Sequence, residues 1–279
     1  SNHQKNKGLM VKTSNLCCEI MILTGVDHLV IERTAVCCLS SVNLEKWDEW
    51  STDEMFIQDV MRFLDNVLED FINNAPDSMK NAVYSAKRER SVGLGAMGFH
   101  SFLQKKGIPF ESALAKSWNV KFFKHLKQEA DKASVILAIE KGACPDADEE
   151  QVKARFSHKL AIAPTASISI ICGGTSACIE PIPANIYTHK TLSGSFTVKN
   201  KFLENLLEEK KINNDDIWQS IIENDGSVAH LKELNDDEKK CFKTAFEIDQ
   251  RWIIERAADR TPYICQSQSI NLYLSADID

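Results

Sequence analysis

The chain lacks a positive excess. Its 33 Lys and Arg stand against 40 Asp and Glu, giving a formal charge of −7 and a pI near 5.6. That excludes the electrostatic footprint of direct DNA or RNA binding. No apolar run approaches the roughly 18 residues of a membrane span, so no membrane association is expected. No signal peptide, internal repeat or low-complexity tract is visible. The histidines (His3, His28, His100, His125, His158, His189 and His230) include no H-x-x-x-H or H-E-x-x-H set. No metal site is therefore expected. What the chain has in plenty is cysteine: nine in 279 residues, an odd number that cannot pair completely within the chain. Reduced thiols in a cytoplasmic protein are the expectation. The composition, 43% hydrophobic and 26% charged, is that of a globular domain.

Hydrophobic spacing suggests an α/β chain with a mostly parallel sheet. Leu16 to Leu23 and Ala35 to Leu39 read as short buried strands or strand-to-loop transitions. Val60, Phe63, Leu64, Val67, Leu68, Phe71 and Ile72 predict an amphipathic helix over residues 53 to 73, capped by Ser51 or Thr52. A second long helix is predicted from Ala113 to Lys141, stopped by Gly142. Strand and loop are expected over 158 to 182, and helices over 201–210, 215–223 and 236–259. A strand is expected over Gln266 to Leu274.

Several segments carry possible chemistry. In an extended segment Asn15, Cys17 and Glu19 share one face, and Leu16, Cys18 and Ile20 the other. An amide, a thiol and a carboxylate together could orient an oxygen, act as nucleophile or radical carrier, and accept a proton. The same alternation also suits a solvated strand edge. Adjacent cysteines, Cys17-Cys18 and Cys37-Cys38, do not have zinc-site spacing and can be small buried hydrophobes. Gly93-Leu94-Gly95-Ala96-Met97-Gly98 matches a dinucleotide fingerprint, but Lys87 to Arg90 before it is no buried strand. Tight helix packing is the better reading of those glycines. Pro164-Thr165-Ala166-Ser167-Ile168-Ser169 could offer amides and hydroxyls to a phosphate, or merely cap a helix. Glu180 could be structural or support a site from behind.

Taken together, these segments resemble the large, catalytic subunit of class I ribonucleotide reductase. The carrying residues are Ser14-Asn15-Leu16-Cys17-Cys18-Glu19-Ile20, Ala35 to Ser40, Arg90 to Gly95, Ala163-Pro164-Thr165-Ala166-Ser167, Ile179-Glu180-Pro181 with Asn185 to Thr188, Leu192-Ser193-Gly194, and Gln266 to Leu272. The resemblance implies part of a ten-stranded α/β barrel in which a finger loop brings a radical cysteine to the centre. It implies reduction of ribonucleoside diphosphates. By position, Cys17 matches the thiyl-radical cysteine, Glu19 the general base, Asn15 the amide that binds the ribose hydroxyls, and Cys37 one of the two reducing thiols. Ser14, Thr165, Ala166, Ser167 and Ile168 match substrate-binding positions. Cys18 and Cys38 are expected to face away and pack.

The resemblance further implies that this chain binds no cofactor and that a metal-containing small subunit supplies the radical. Thioredoxin or glutaredoxin would act as external reductant. Remaining segments of the large subunit and a large-subunit homodimer are expected partners. The family's ATP cone, early barrel strands and second reducing cysteine are expected upstream of residues 1–279, and its tyrosine relay and redox tail downstream. A cobalamin-dependent relative and an inactive truncated remnant are the alternatives.

Overall fold

The computed structural model describes residues 11–192 and 194–274; Ser193 and His3 lie outside them. A short hairpin, β1 (Gly25–Val26) and β2 (Glu32–Arg33), precedes β3 (Leu39–Asn43). Helices α1 (Trp47–Trp50), α2 (Phe56–Asn74) and α3 (Lys80–Glu89) follow, then β4 (Gly93–Met97) and α4 (Phe99–Lys105). Next come α5 (Ala113–Lys141), α6 (Pro145–Asp148) and α7 (Ile168–Ile171). The hairpin β5 (Ile186–Thr191) and β6 (Gly194–Lys199) leads to α8 (Lys201–Glu209), α9 (Asp215–Glu223), α10 (Asp236–Cys241) and α11 (Gln250–Arg260).

β3 and β4 pair in parallel, Leu39 opposite Gly93 and Asn43 opposite Met97. Two parallel bridges extend the order: Leu94 with Leu160, then Ile162 with Gln268. Four ribbons thus run side by side in chain order, joined by helical crossovers, as a parallel sheet requires. β4 is buried at every position, with ribbons on both sides. The expected strand over Gln266 to Leu274 reduces to the bridge at Gln268. Residues 16 to 24 form no strand, and β3 starts only at Leu39. The β5–β6 hairpin was not anticipated.

Gly93 and Gly95 sit within strand packing, not helix packing, and Gly98 turns the chain into α4 at φ +79°. A Cβ on Gly95 would lie 2.4 Å from the Ala161 carbonyl oxygen and 3.2 Å from the Ile162 Cα. Both are backbone atoms of the neighbouring ribbon, which cannot swing aside. Gly95→Ala should therefore destabilise the protein by about 3 kcal/mol, the upper end of ordinary overpacking costs. Unfolding in urea checks this; an unchanged midpoint would show that the ribbons separate freely.

The long helices form where periodicity places them. In α2, Ile57, Met61, Leu64, Leu68 and Ile72 face the core. Its cap is Met55, without a side-chain hydrogen bond, so neither Ser51 nor Thr52 caps it. Phe63 and Val67 are exposed (62% and 44%). α5 runs over the predicted residues: Ser112 Oγ accepts from the Ala115 amide, and Gly142 ends it at φ +89°. The predicted helix 236–259 is instead two helices. Between them the Ala245 amide donates to the Ile182 carbonyl at 2.7 Å, and Asp249 caps the second by accepting from the Arg251 amide at 3.0 Å. That tertiary bond and a fresh cap outweigh the helical propensity of the interval. Among the described residues no helix is long and apolar enough to cross a membrane.

Candidate active site

The segment carrying Asn15, Cys17 and Glu19 is a turn rather than an extended strand. The Cys18 amide donates to the Asn15 carbonyl at 3.1 Å, and Cys18 takes a φ of +65°. Asn15 Oδ1 accepts from the Ile20 amide at 3.0 Å, closing the turn from within. The strict alternation of faces therefore fails here: Leu16 is 98% exposed and Cys18 is exposed, so Cys18 does not pack. Cys38 does, buried against α2 with its thiol directed at the Leu64 carbonyl. Cys17 is half-buried, and Glu19 is buried.

Glu19 Oε2 is buried without a hydrogen-bond partner among the described residues. A carboxylate oxygen in that position is costly to the fold unless it serves the chemistry of the site. Its backbone is well held: the Ser267 amide donates to the Glu19 carbonyl at 3.0 Å, and Ile20 and Ile22 pack on Ala161.

Cys37 ends the approach to β3 and is exposed as a residue. The atoms packed around its sulfur nonetheless push the thiol above its ordinary value, and the Glu19 carboxylate and Cys17 thiol raise it further. The fold thus sets Cys17, Glu19 and Cys37 within electrostatic reach of one another. At neutral pH Cys37 is a thiol, able to give up a hydrogen or two electrons, rather than a thiolate. Its alkylation by iodoacetamide should have a pH midpoint above that of an unperturbed thiol. Glu19→Gln should move that midpoint down, because the opposing carboxylate is gone. A midpoint that stays put would mean Glu19 does not face Cys37.

The second cluster lies at residues 164–169. Thr165 is buried at φ +50°, and its Oγ1 accepts from the Cys178 amide at 2.6 Å. Ala166 and Ser167 are exposed ahead of α7. The amides of Ala166, Ser167 and Ile168 have no acceptor among the described residues. The buried Cys178 thiol is pushed up to about 12 by burial, then by Glu180 and Glu19. Glu19 and the Thr165 turn therefore converge on Cys178. They do not share a cavity wall: Cys37 lines a groove of about 410 Å³ with Phe63 and Val67, and Ala166 lines one of about 600 Å³ with Tyr187 and Lys199. Cys17 and Glu19 line neither.

Sequence reasoning missed two organisers. Cys178 joins the 165 turn to the last ribbon, its thiol donating to the Ser269 carbonyl at 3.5 Å. Gln266 reaches the Met21 amide at 3.2 Å. Glu180, left open by the sequence, accepts from the Asn271 amide at 2.7 Å and the Tyr273 hydroxyl at 3.1 Å, which ties down the last ribbon. Among the described residues no group of three or more His, Cys, Asp or Glu could hold a metal ion.

The model of the ribonucleotide reductase barrel domain matches residues 1–155 and 147–279. The chain is 49% identical over 268 residues to the ribonucleoside-diphosphate reductase large subunit of Invertebrate iridescent virus 6, covering 94% of this chain and 27% of that protein. It is 46% identical to the corresponding large subunit of Invertebrate iridescent virus 3, covering 98% of this chain and 43% of that one. The class Id ribonucleotide reductase alpha subunit of Actinobacillus ureae superposes with a TM-score of 0.88 at 39% identity, covering 98% of this chain and 49% of that chain. The chain thus spans less than half the length of these relatives. Its α/β elements form part of the same barrel, and the chain belongs to the ribonucleotide reductase barrel-domain family.

Proposed function

We propose that this chain is the barrel portion of a ribonucleoside-diphosphate reductase large subunit and carries its chemistry. The observation that supports this best is the placement of Glu19 and Cys17 within electrostatic reach of Cys37, with a buried Glu19 oxygen that no donor among the described residues satisfies. In this reading a thiyl radical on Cys17 takes the 3′ hydrogen of the ribose. S–H and ribose C–H bonds are of comparable strength, so the transfer is nearly balanced in energy. Glu19 accepts the 3′ hydroxyl proton while one of the two reducing thiols protonates the 2′ hydroxyl, which leaves as water. Cys37 and the second thiol supply two electrons and close to a disulfide, their remaining hydrogen going to C2′; Cys17 returns its hydrogen to C3′ and regains the radical, and Glu19 returns its proton to the 3′ oxygen. Asn15 orients the ribose hydroxyls, and Ser14 borders the site. The amides of Ala166, Ser167 and Ile168, beside Thr165, receive the diphosphate.

The radical would come from a metal-containing small subunit, since this chain is read as binding no cofactor itself. Thioredoxin or glutaredoxin would reopen the disulfide by thiol exchange. The remaining large-subunit segments and a large-subunit homodimer complete the assembly, in the cytoplasm. The 39% identity to a class Id alpha subunit favours this over a cobalamin-dependent reading. The intact set Asn15, Cys17, Glu19 and Cys37 favours an active protein over a remnant.

The test is a chimera in which this chain replaces the matching barrel segment of the iridescent-virus large subunit. Assayed with its small subunit and a dithiol, it should convert a ribonucleoside diphosphate to the deoxy product. A folded chimera that binds the diphosphate but forms no product would overturn the proposal.

A further inference from the structure

We infer that Gln266 is a positioning residue for the Cys17–Glu19 segment, holding that loop in register with the start of β4; the inference rests on the reading of that segment as catalytic. The segment has little structure of its own. It forms no strand between residues 16 and 24, its internal bonds close only one turn, and Leu16 stands in solvent. Its placement therefore depends on what reaches it from elsewhere. Two long-range hydrogen bonds come from the last ribbon: the Ser267 amide to the Glu19 carbonyl at 3.0 Å, and Gln266 Oε1 from the Met21 amide at 3.2 Å.

The other end of the same side chain is also engaged. Gln266 Nε2 donates to the Val92 carbonyl at 3.0 Å, directly before β4, and the Gln266 amide donates to the Leu160 carbonyl at 3.1 Å. One residue thus joins the loop, β4 and the ribbon at 160. Val92 is 1% exposed, so its carbonyl cannot turn to water instead. Gly93 keeps the space open: a Cβ there would meet Leu39 Cδ2 at 2.3 Å and stand 3.7 Å from Gln266 Nε2. A carboxamide is the side chain that fits, because the loop offers a donor and β4 an acceptor. Both of its ends bond backbone, the pattern of a side chain that positions other groups.

The 165 turn is held by the Cys178 amide on Thr165 Oγ1, a bond in which the Gln266 side chain takes no part. Losing Gln266 should therefore misplace the thiol and carboxylate while sparing diphosphate binding. A displacement of that kind costs turnover steeply, because the reacting atoms must meet within a narrow distance. In the complete large subunit with its small subunit, Gln266→Leu should lower kcat by about 10- to 100-fold and leave KM for the diphosphate unchanged. Gln266→Glu keeps the acceptor toward Met21. Its second oxygen repels the Val92 carbonyl when ionised and donates to it when protonated. Its kcat, taken relative to the unmutated enzyme at each pH, should rise as the pH falls.

Amide exchange of residues 19–22, read by mass spectrometry, should be faster in Gln266→Leu and recover in Gln266→Glu at low pH. That reading needs no turnover. If the unmutated enzyme makes no deoxynucleotide, the functional proposal fails and exchange still judges the clamp. Unchanged kcat in Gln266→Leu, kcat and KM changing together, a flat Gln266→Glu profile, or unchanged exchange would each overturn the inference.

Discussion

Replacing Cys17 with serine is expected to abolish deoxynucleotide formation while leaving diphosphate binding in place. The exchange is nearly isosteric at a half-buried turn, so the loop should keep its shape. The change lies in bond strength. An O–H bond is much stronger than the S–H bond it replaces, and serine cannot carry the radical that a thiol can. No neighbouring group substitutes: Cys18 is exposed and is itself the left-handed residue of the turn, and Cys37 belongs to the reducing step in this reading. Turnover should fall by at least ~10⁴-fold, the order seen when one member of a jointly acting catalytic set is removed. Product formation and diphosphate affinity, measured on the same preparation, check this. Retained turnover would remove Cys17 from the role given to it, and loss of affinity in parallel would point to a collapsed loop.

The largest effect on stability is expected at Arg33, far from the chemistry. Its guanidinium is fully buried and meets three carboxylates: Asp27 at 2.8 Å, Glu89 at 3.3 Å, and Asp146. These come from β1–β2, α3 and α6, so one side chain pins three elements together. Burial alone would raise Asp27, but hydrogen bonds from Arg33, Tyr84 and the amides of Ile31 and Leu29 outweigh it and hold it down at about 2. Glu89 goes the other way: burial outweighs Arg33 and pushes it up to about 7.

Arg33→Met leaves Asp27 and Glu89 buried without this cation, while Asp146 keeps Arg88; the loss should cost about 3–5 kcal/mol. In a chain of this size that is a fall in Tm on the order of 10 °C. The pH dependence follows from the shifts. With Arg33 gone, Asp27 loses the strongest of the bonds that hold it below its unfolded value, and Glu89 rises further above its own. The folded state then holds protons that the unfolded state has lost, and stability falls as pH rises. The deficit should be larger at pH 8 than at pH 5. Adding Asp27→Asn and Asp146→Asn should recover part of it. A Tm unchanged at both pH values would show that the carboxylates find water instead.

The legibility of this chain follows the range of its interactions. α5 was readable to the residue because its start and stop are local: Ser112 accepts from an amide three residues on, and Gly142 takes a φ that other residues resist. The core face of α2 was readable in part: Leu64, Leu68 and Ile72 are buried, whereas Phe63 and Val67 of the same apolar spacing are exposed. The break at residues 242–249 was not, because the bond that makes it runs from Ala245 to Ile182. The glycines at 93 and 95 match a dinucleotide fingerprint or a helix contact in sequence. Their reason is a neighbouring ribbon that joins from residues 160–162, far along the chain.

The candidate site divides in the same way. Sequence by itself determined the family and the inventory of chemistry: Asn15, Cys17 and Glu19 in one short motif, Cys37 in a second, and the 165 turn in a third. Residue types carry bond strengths and proton affinities wherever they stand, so that much needs no fold. Tertiary structure alone decided that the first motif is a turn whose Cys18 faces solvent. It also decided that Glu19 presents an unsatisfied oxygen, and that Gln266 and Cys178 tie the motifs together. The Gln266 bonds span 174 and 245 residues of chain, and the Cys178–Ser269 bond spans 91. No local pattern encodes them, because the energy that selects them appears only when the ribbons close on one another.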